Sequence, residues 1–373
     1  GRIAAARVEF AGRDGVLSEI SKFAINAPEL AVNGSATLIG GDDELTVSVL
    51  NLERIVLGET DVSLRAVFRD DGVPDIVIGG NKLDLRLLVK DVFANSNDEL
   101  PAMRVRFDAA NPVRSIQLGD ETVLLHPTGW LAHDGEDWAA IDLLGKLSNG
   151  GKVDLQLQAV NGQREVLFVS DDGGGVLRAL DWINTVEDGT LQLKGTFTNS
   201  GGNEAISGQL SMEGFKLNEN SVTVRVLSLA SLSGISDAVA GTGITMRRAE
   251  VPFEVTDGEI RIGDAKARGA GAGIIATGRI DRTSNEIDIR GEIAPAYLIN
   301  SLLSNIPLVG EIIGDGIIAV TYVVKGPLDD PSVSVNPLTV FVPGIFRKAF
   351  TGFGYGEGVA EGSTEQSASA PGE

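Results

Sequence analysis

Apolar and polar residues alternate in short stretches along most of the chain. This period-two pattern predicts β-strands that have one apolar face and one face in water. Clear examples are residues 45–50 (LTVSVL), 61–68 (DVSLRAVF) and 103–109 (MRVRFDA). Turn-forming clusters of Gly, Asp and Asn separate such stretches at 12–15, 40–43, 69–72 and 79–81. The first part of the chain is therefore predicted to be a succession of short strands.

The clearest predicted hairpin lies in the middle of the chain, around Asn161-Gly162. Alternating stretches flank this dipeptide, which suits a type I′ turn because both central residues need a positive φ. Two longer strands are predicted at 190–198 and 205–215, joined through 199–203. A nine-residue strand is about 30 Å long, which is enough to lie beside an extended acyl chain.

Two further hairpins are predicted later in the chain. One joins 251–255 to 260–262, and the other joins 273–280 to 286–293. In the last of these strands, the alternation predicts that Ile287, Ile289, Gly291 and Ile293 share one face. The charged residues between them take the opposite face, so this strand is expected to have a dry side and a wet side.

Only a few short helices are predicted. Apolar residues at helical spacing indicate one helix at Leu177, Leu180 and Ile183, and others over 229–239 and 297–308. Three glycines at 173–175 resemble a phosphate-binding turn but lack the Lys-Ser/Thr of a P-loop. A helix cap formed by Ser170, Asp171 or Asp172 explains them better. These helices are too short and too few to cover a sheet, and we expect them to be plugs or edge covers.

The fold class predicted from these elements is all-β with a few short helices. One-sided alternation is equally typical of a β-sandwich, a closed barrel and an open trough. The low aromatic content of 5% and the lack of long helices favour an open apolar groove over a sandwich or a barrel. A one-sided apolar sheet that does not close needs something to cover it, and lipid acyl chains would do so.

Composition excludes several classes of function. The formal net charge of −21 argues against a nucleic-acid surface, which needs a basic stripe. The chain has no cysteine, so thiol catalysis, disulfides and cysteine zinc sites are excluded. It begins at Gly1 and shows neither a signal peptide nor an apolar run of transmembrane length. We therefore expect it to be a fragment of a longer protein.

No catalytic constellation stands out, and we expect neither enzymatic activity nor a cofactor. A metal site can be drawn from His126, His133, Asp134, Glu136 and Asp137, but turn-rich sequence around two histidines is more typical of a solvated hairpin. The serine-rich stretch 228–233 contains no G-x-S-x-G and has no histidine near it in sequence. Acidic residues are abundant everywhere, so no glycosidase-like pair can be singled out.

The C-terminal segment combines apolar and basic residues in an otherwise acidic chain. An amphipathic helix is predicted over 343–356, followed by a disordered tail at 357–373 that is low in bulky residues. The helix is expected either to contact a membrane interface or to pack on the last strands. The residues predicted to contact a membrane are Ile345, Phe346, Arg347, Lys348 and Phe350.

Four motifs resemble the C-terminal region of the AsmA-like family. They are SDDGGGVLRAL at 170–180, LSLASLSGISD at 227–237, IAPAYLINSLLSNIPLVG at 293–310 and GPLDDPSVSVNPL at 326–338. This family of large bacterial envelope proteins includes AsmA, TamB and YhdP, and the resemblance is closest to the YhdP-like branch. It covers residues 170–350 well and 1–169 more loosely, and the last two motifs in combination are its most specific part.

The resemblance implies a bridge across the periplasm of a Gram-negative bacterium. Such proteins are anchored in the inner membrane by an N-terminal helix, and a long curved sheet with an apolar trough conveys phospholipid towards the outer membrane. That helix is absent here, so the anchor is expected upstream, and this chain is expected to form the far end of the trough. The expected partners are phospholipid, as cargo, and the outer membrane or a protein at its inner side. The alternative is a structural factor that assists outer-membrane protein assembly without lipid cargo.

The resemblance also divides the chain and places the groove. The expected regions are a continuing antiparallel groove segment at 1–169, an AsmA-like β region at 170–342, the helix at 343–356 and the tail. The residues expected to line the lipid groove are Leu155, Leu157, Leu191, Leu193, Phe197, Phe253, Val255, Ile287, Ile289, Ile293, Val320 and Tyr322.

Overall fold

One long, curved sheet of twenty strands forms the protein, together with one short helix, in the part of the chain that the structure describes. The computed structural model describes residues 5–13, 16–41, 44–86, 100–119, 122–180, 183–200, 203–218, 221, 243–269, 272–295, 320–328 and 330–336. The all-β prediction is confirmed. At the usual strand spacing, twenty strands extend about 90 Å along the sheet.

The strands follow one another along the chain as β1 to β20. Their bounds are β1 Ala5–Arg13, β2 Val16–Ala27, β3 Leu30–Gly41, β4 Glu44–Leu57, β5 Thr60–Val67, β6 Asp75–Asp84, β7 Met103–Phe107, β8 Ser115–Gln117, β9 Val123–His133, β10 Trp138–Leu147, β11 Lys152–Val160, β12 Gln163–Ser170, β13 Val186–Ser200, β14 Asn203–Leu217, β15 Ile244–Val255, β16 Glu259–Gly269, β17 Ala272–Asp281, β18 Glu286–Pro295, β19 Val320–Pro327 and β20 Ser332–Asn336. The helix α1 is Gly173–Ala179.

Nearly every strand pairs antiparallel with the next one in the chain. The exception lies at β6, which pairs in parallel with both β7 and β8. These two short strands together fill one position in the sheet and both pair antiparallel with β9. The antiparallel groove segment expected over 1–169 therefore contains one parallel step, because β6 runs in the same direction as β7 and β8. The ladder continues across residue 170, because β12 pairs with β13.

The two faces of the sheet differ in chemistry. Residues directly opposite each other in a ladder point to the same face, so the register assigns each side chain. We call the face that carries Phe23, Leu64 and Ile289 the inner face. Arg54, Arg248 and Arg261 lie on the other, outer face, where they pair with Asp61, Glu213 and Glu254 at 2.8, 3.1 and 2.8 Å. Such exposed pairs contribute only about 0–1 kcal/mol each, so they mark the wet face more than they stabilise it.

Bulges bend the strands at positions that line up across the first part of the sheet. The register shifts at Glu9/Phe10 and between Ile20 and Phe23 mark one bulge in β2, and those at Asn33/Gly34 and between Leu52 and Ile55 mark one bulge in β4. Each inserted residue kinks its strand and increases the local twist. The two neighbouring kinks in β2 and β4 add curvature to the first part of the sheet.

A pair of glycines allows β13 and β14 to approach closely. Gly195 and Gly208 stand directly opposite each other in the ladder. A Cβ atom on Gly208 would lie 2.7 Å from the Cα of Gly195, closer than real Cβ contacts. Side chains are therefore absent where the two backbones come together, as expected at a bend in a strand.

Helix α1 lies against the inner face of the sheet. Its N-cap is Asp172, whose Oδ1 accepts a hydrogen bond from the amide of Gly175 at 2.9 Å, and this confirms the capping interpretation of the three glycines. A Cβ atom on Gly174 would lie 2.7 Å from the carbonyl oxygen of Val186. The glycines thus let the first turn pack directly on the backbone of β13. Ile183 lies beyond the helix and is exposed.

Two apolar clusters form the core. The first runs from α1 across β13–β19 and includes Leu191, Met212, Met246, Ile293 and Tyr322. The second, which we call the closing core, lies between β6 and α1. It consists of Val113, Ile116, Leu124, Leu147, Val153 and Val176.

Several turn predictions are confirmed and one is wrong. Asn161 and Gly162 have φ of 52° and 82°, as the predicted turn requires. The cluster 79–81 is not a turn, because it lies inside β6. There Gly80, with φ of 126°, packs on the Cα of Val62. The predicted helices at 229–239, 297–308 and 343–356 and the tail lie outside the described residues. No helix in the described part of the chain is long and apolar enough to cross a bilayer.

Candidate functional site

The residues predicted to line a groove all have ladder positions on the inner face. Leu157, Phe253 and Ile289 occupy one row across the sheet, reached through successive pairings. Leu155 and Leu193 lie in the next row, since both pair with Phe168. Other rows of the inner face contain Leu191, Phe197, Val255, Ile287, Ile293 and Tyr322. The backbone of Val320 is registered opposite Ile293.

Burial divides these residues into two groups. Leu157, Leu191, Ile293 and Tyr322 are buried within the protein. The side chains that keep part of their surface open are Leu155, Leu193, Phe197, Phe253, Val255, Ile287 and Ile289. The inner face of β11–β19 is therefore packed around the first group and half-open along the second, which we call the half-open band.

The most exposed apolar side chains of the inner face lie elsewhere, on β1–β4, and sequence reasoning missed them. The exposed fraction is 64% for Phe10 and 57% for Leu57, and it also reaches 38–46% for Val8, Ile25, Leu45 and Val47. Their ladder partners place all six on the inner face. The signal was present as alternation in residues 5–10 and 45–50, but alternation does not reveal whether a face is covered. We call the inner face of β1–β4 the open tract.

The two faces of β1–β4 differ in their content of charged side chains. The charged residues with described side chains in these strands all lie on the outer face: Arg7, Glu9, Glu19, Lys22, Glu53 and Arg54. The open tract itself is formed by apolar residues and glycine. It therefore offers no partner to a charged group and suits a hydrocarbon chain.

A rim of charged groups borders one end of the open tract, and Lys82 in this rim lies on the outer face, opposite Asp61. At the β4–β5 turn, Glu59 pairs with Lys82, and its Oε1 lies 3.0 Å from Nη2 of Arg86. The hydrogen bond from Lys82, and then the charge of Arg86, lower the pKa of Glu59, so this carboxylate stays ionised. A charged rim beside an apolar floor is the arrangement that an amphiphile requires.

A second polar group crosses the inner face at the end of β12. The guanidinium of Arg164 lies 4.6 Å above the ring of Phe197, a predicted groove residue. It also lies 3.2 Å from Asp137 Oδ2 and donates to the carbonyl oxygen of Trp138 at 3.1 Å. Arg164 thus connects β12 to the first residue of β10, and its guanidinium covers Phe197 at this end of the half-open band.

The structure does not bring the two histidines together. His126 is the fourth residue of β9 and His133 its last, so the two are about 20 Å apart at the usual rise per residue. The solvated-hairpin interpretation is right for exposed His126 and wrong for His133, which is 7% exposed. The ring of His133 packs edge-on against Trp138 at 5.1 Å, and its Nδ1 accepts from the amide of Gly135. The described His, Asp and Glu residues form no group that could hold a metal ion.

The predicted membrane-contact residues Ile345, Phe346, Arg347, Lys348 and Phe350 lie outside the described residues. No protein-family model matches the chain, and comparisons with curated proteins and with solved structures find no significant match either. The inner face is thus the site on which a functional argument rests.

Proposed function

We propose that this protein binds phospholipid by its acyl chains along the inner face of the sheet and serves as part of a lipid conduit in the bacterial envelope. The observation that carries the proposal is the apolar inner face, which continues through the ladders from β1 to β20 and keeps large side chains exposed on β1–β4. Each half-exposed Leu or Phe that a lipid covers would contribute about 1 kcal/mol. The resemblance to AsmA-like proteins supports the same function.

In this proposal the protein catalyses no reaction. Acyl chains rest on the apolar floor while headgroups remain in water at the rim, and movement requires only neighbouring positions of similar free energy. The proposed location is the periplasm, with inner-membrane anchoring supplied by an upstream segment. The outer membrane, or a protein at its inner side, would receive the lipid.

The first test is direct detection of lipid. Protein purified without detergent is expected to carry phospholipid that mass spectrometry identifies after extraction, and to transfer labelled phospholipid between liposomes. Leu193→Asp and Ile289→Asp each place a charge in the half-open band of the inner face. They are expected to reduce transfer about tenfold or more, because an acyl chain that passes a carboxylate takes water from it without offering a hydrogen bond. The outer-face change Gln209→Asp, opposite Lys194, is the matched control. Thermal melts of each variant test whether it is folded.

An assembly factor that binds no lipid is the second candidate. It is favoured by the edges of the sheet, since β1 pairs only with β2 and β20 only with β19 among the described strands. Such edges can add a strand from another chain. Absence of extracted phospholipid together with absence of transfer would favour this candidate and would reject the conduit.

A further inference from the structure

We infer that the acyl chains bind first on the open tract of β1–β4 and that this binding segment ends at the closing core. The inference rests on the proposed function, and it assigns the cargo to residues other than those that sequence reasoning selected. The ligand class is a phospholipid with its acyl chains on the tract and its headgroup at the charged rim.

Burial separates the open tract from the rest of the inner face. Among the described apolar side chains of β1–β4, only Ala36 is buried. On β13–β19 the buried apolar side chains include Leu191, Met212, Ile293 and Tyr322. A ligand there finds half-open side chains between packed ones, whereas on the open tract it covers side chains that are up to 64% exposed.

The dimensions of the open tract suit an acyl chain. Strands β2, β3 and β4 contain 12, 12 and 14 residues, so each is about 40 Å long before bending. One leaflet of a bilayer's hydrocarbon core is about 15 Å thick, which is roughly the depth that an acyl chain spans. A chain therefore fits along a strand or across the four strands with its end still on the tract.

The rim indicates an amphiphile in preference to a second protein. Glu59, Lys82 and Arg86 place both signs of charge at the β4–β5 turn, and the carbonyl of Glu29 accepts from the amide of Gly58 to bring the β2–β3 turn alongside. A zwitterionic or anionic headgroup can exchange with these exposed pairs at small cost. The described side chains of the open tract beside them are apolar, so they offer a protein partner no hydrogen-bonding group.

The closing core ends the tract. Val113 is fully buried, and it packs with Ile116, Leu124 and the helix residue Val176. The segment that carries Val113 is fixed to β6 by two backbone hydrogen bonds, from Gly80 to Asn111 at 3.2 Å and from Arg114 to Gly80 at 3.1 Å. Helix α1 is fixed in turn by Thr122, whose hydroxyl donates to the carbonyl of Ala179 at 3.0 Å. These contacts cover the inner face between β6 and α1 at the positions of Ile116, Leu124 and Val153.

The experiment is photocrosslinking of the full chain with a phospholipid that carries a diazirine in its acyl chain. The probe is supplied in phosphatidylethanolamine–phosphatidylglycerol vesicles, and adducts are mapped by mass spectrometry. Adducts are expected on peptides of β1–β4, including those with Phe10 and Leu57. Adducts distributed equally over β13–β19 would overturn the inference and leave the proposed function standing. Adducts on outer-face residues only, or none, would overturn both.

A pair of matched variants gives an independent measurement. Leu57 and Ile39 lie on adjacent strands and are both 57% exposed, but Leu57 is on the inner face and Ile39, opposite Thr46, is on the outer face. Leu57→Asp is expected to reduce acyl-chain crosslinking about tenfold, whereas Ile39→Asp leaves it unchanged. Equal loss in both variants, or in neither, contradicts the assignment of the tract. Because both side chains are exposed, both variants are expected to fold.

Discussion

At the scale of single residues, Tyr322 shows how completely the later part of the inner face is packed. Its ring lies opposite Gly291 in the β18–β19 ladder, where the absence of a side chain makes room for it. The residue is 6% exposed, and burial raises the pKa of its hydroxyl to about 12. A tyrosine that lined an open, wetted groove would titrate near its ordinary value of about 10.

This burial predicts a loss of stability at high pH. The folded-state pKa of Tyr322 lies above its unfolded value, so its contribution is fully present below about pH 10 and is lost as the pH rises towards 12. The difference in tyrosinate absorbance between the protein and Tyr322→Phe should titrate near pH 12. Tyr322→Phe should also lose less stability over this interval. A midpoint near 10 would show that the hydroxyl is in water.

The alternation of apolar and polar residues predicts the face of a side chain correctly only in strands without a bulge. Ile287, Ile289 and Ile293 share a face as the alternation predicted, because β18 pairs with β17 without a bulge. Leu52 and Ile55 also share a face although they are three residues apart, since a bulge separates them. A bulge depends on the twist that neighbouring strands impose, and a single stretch of sequence does not contain that information.

At the scale of elements, helix α1 is important because it joins the two core clusters. Leu177 belongs to the first cluster and Val176 to the closing core. The helix has only seven residues, too few to be stable alone, so its position depends on capping and packing. Asp172 supplies the cap, and its carboxylate also accepts from the side-chain amide of Asn149.

Removing the N-cap should therefore destabilise helix α1, which joins the two core clusters. Asp172→Ala is expected to lower the free energy of unfolding by about 1 kcal/mol, the usual value for an N-cap. Asp172→Asn retains an oxygen acceptor and should lose much less. Urea denaturation followed by circular dichroism measures both. If the two variants are equally destabilised, the charge of Asp172 matters more than its capping hydrogen bond.

Elements with strong local signals were the ones that the sequence predicted well. The β11–β12 hairpin follows from Asn161-Gly162 and its flanking alternation, and the start of α1 follows from its capping residues. The parallel step at β6 was not predicted. It depends on the direction in which β7 and β8 pair with β6, and these two strands have the same alternation that an antiparallel strand would have. Pairing partners are a long-range property.

At the scale of the whole molecule, the burial of side chains differs along the length of the sheet. Each strand contacts chiefly its two neighbours, so stability is expected to be local, as in repeat proteins. Buried side chains are concentrated from β8 onwards, whereas β1–β4 contribute only Ala36. Leu45 and Val47 alternate in the same way as Ile287 and Ile289, yet the first pair is exposed and the second is half-buried. The difference arises from distant neighbours, which is why sequence reasoning placed the site in the packed part.

This unevenness predicts two rates of amide hydrogen exchange within one continuous sheet. Backbone amides of β13–β18 should exchange slowly, because their opening exposes the first core cluster. Those of β1–β4 should exchange through smaller openings that cost less. Adding phospholipid vesicles should slow exchange in β1–β4 and leave β13–β18 unchanged, because a bound ligand stabilises the segment that it covers. Exchange governed by one opening free energy across all twenty strands would mean that the sheet unfolds as a single unit. In that case a lipid could not stabilise the open tract separately from the core.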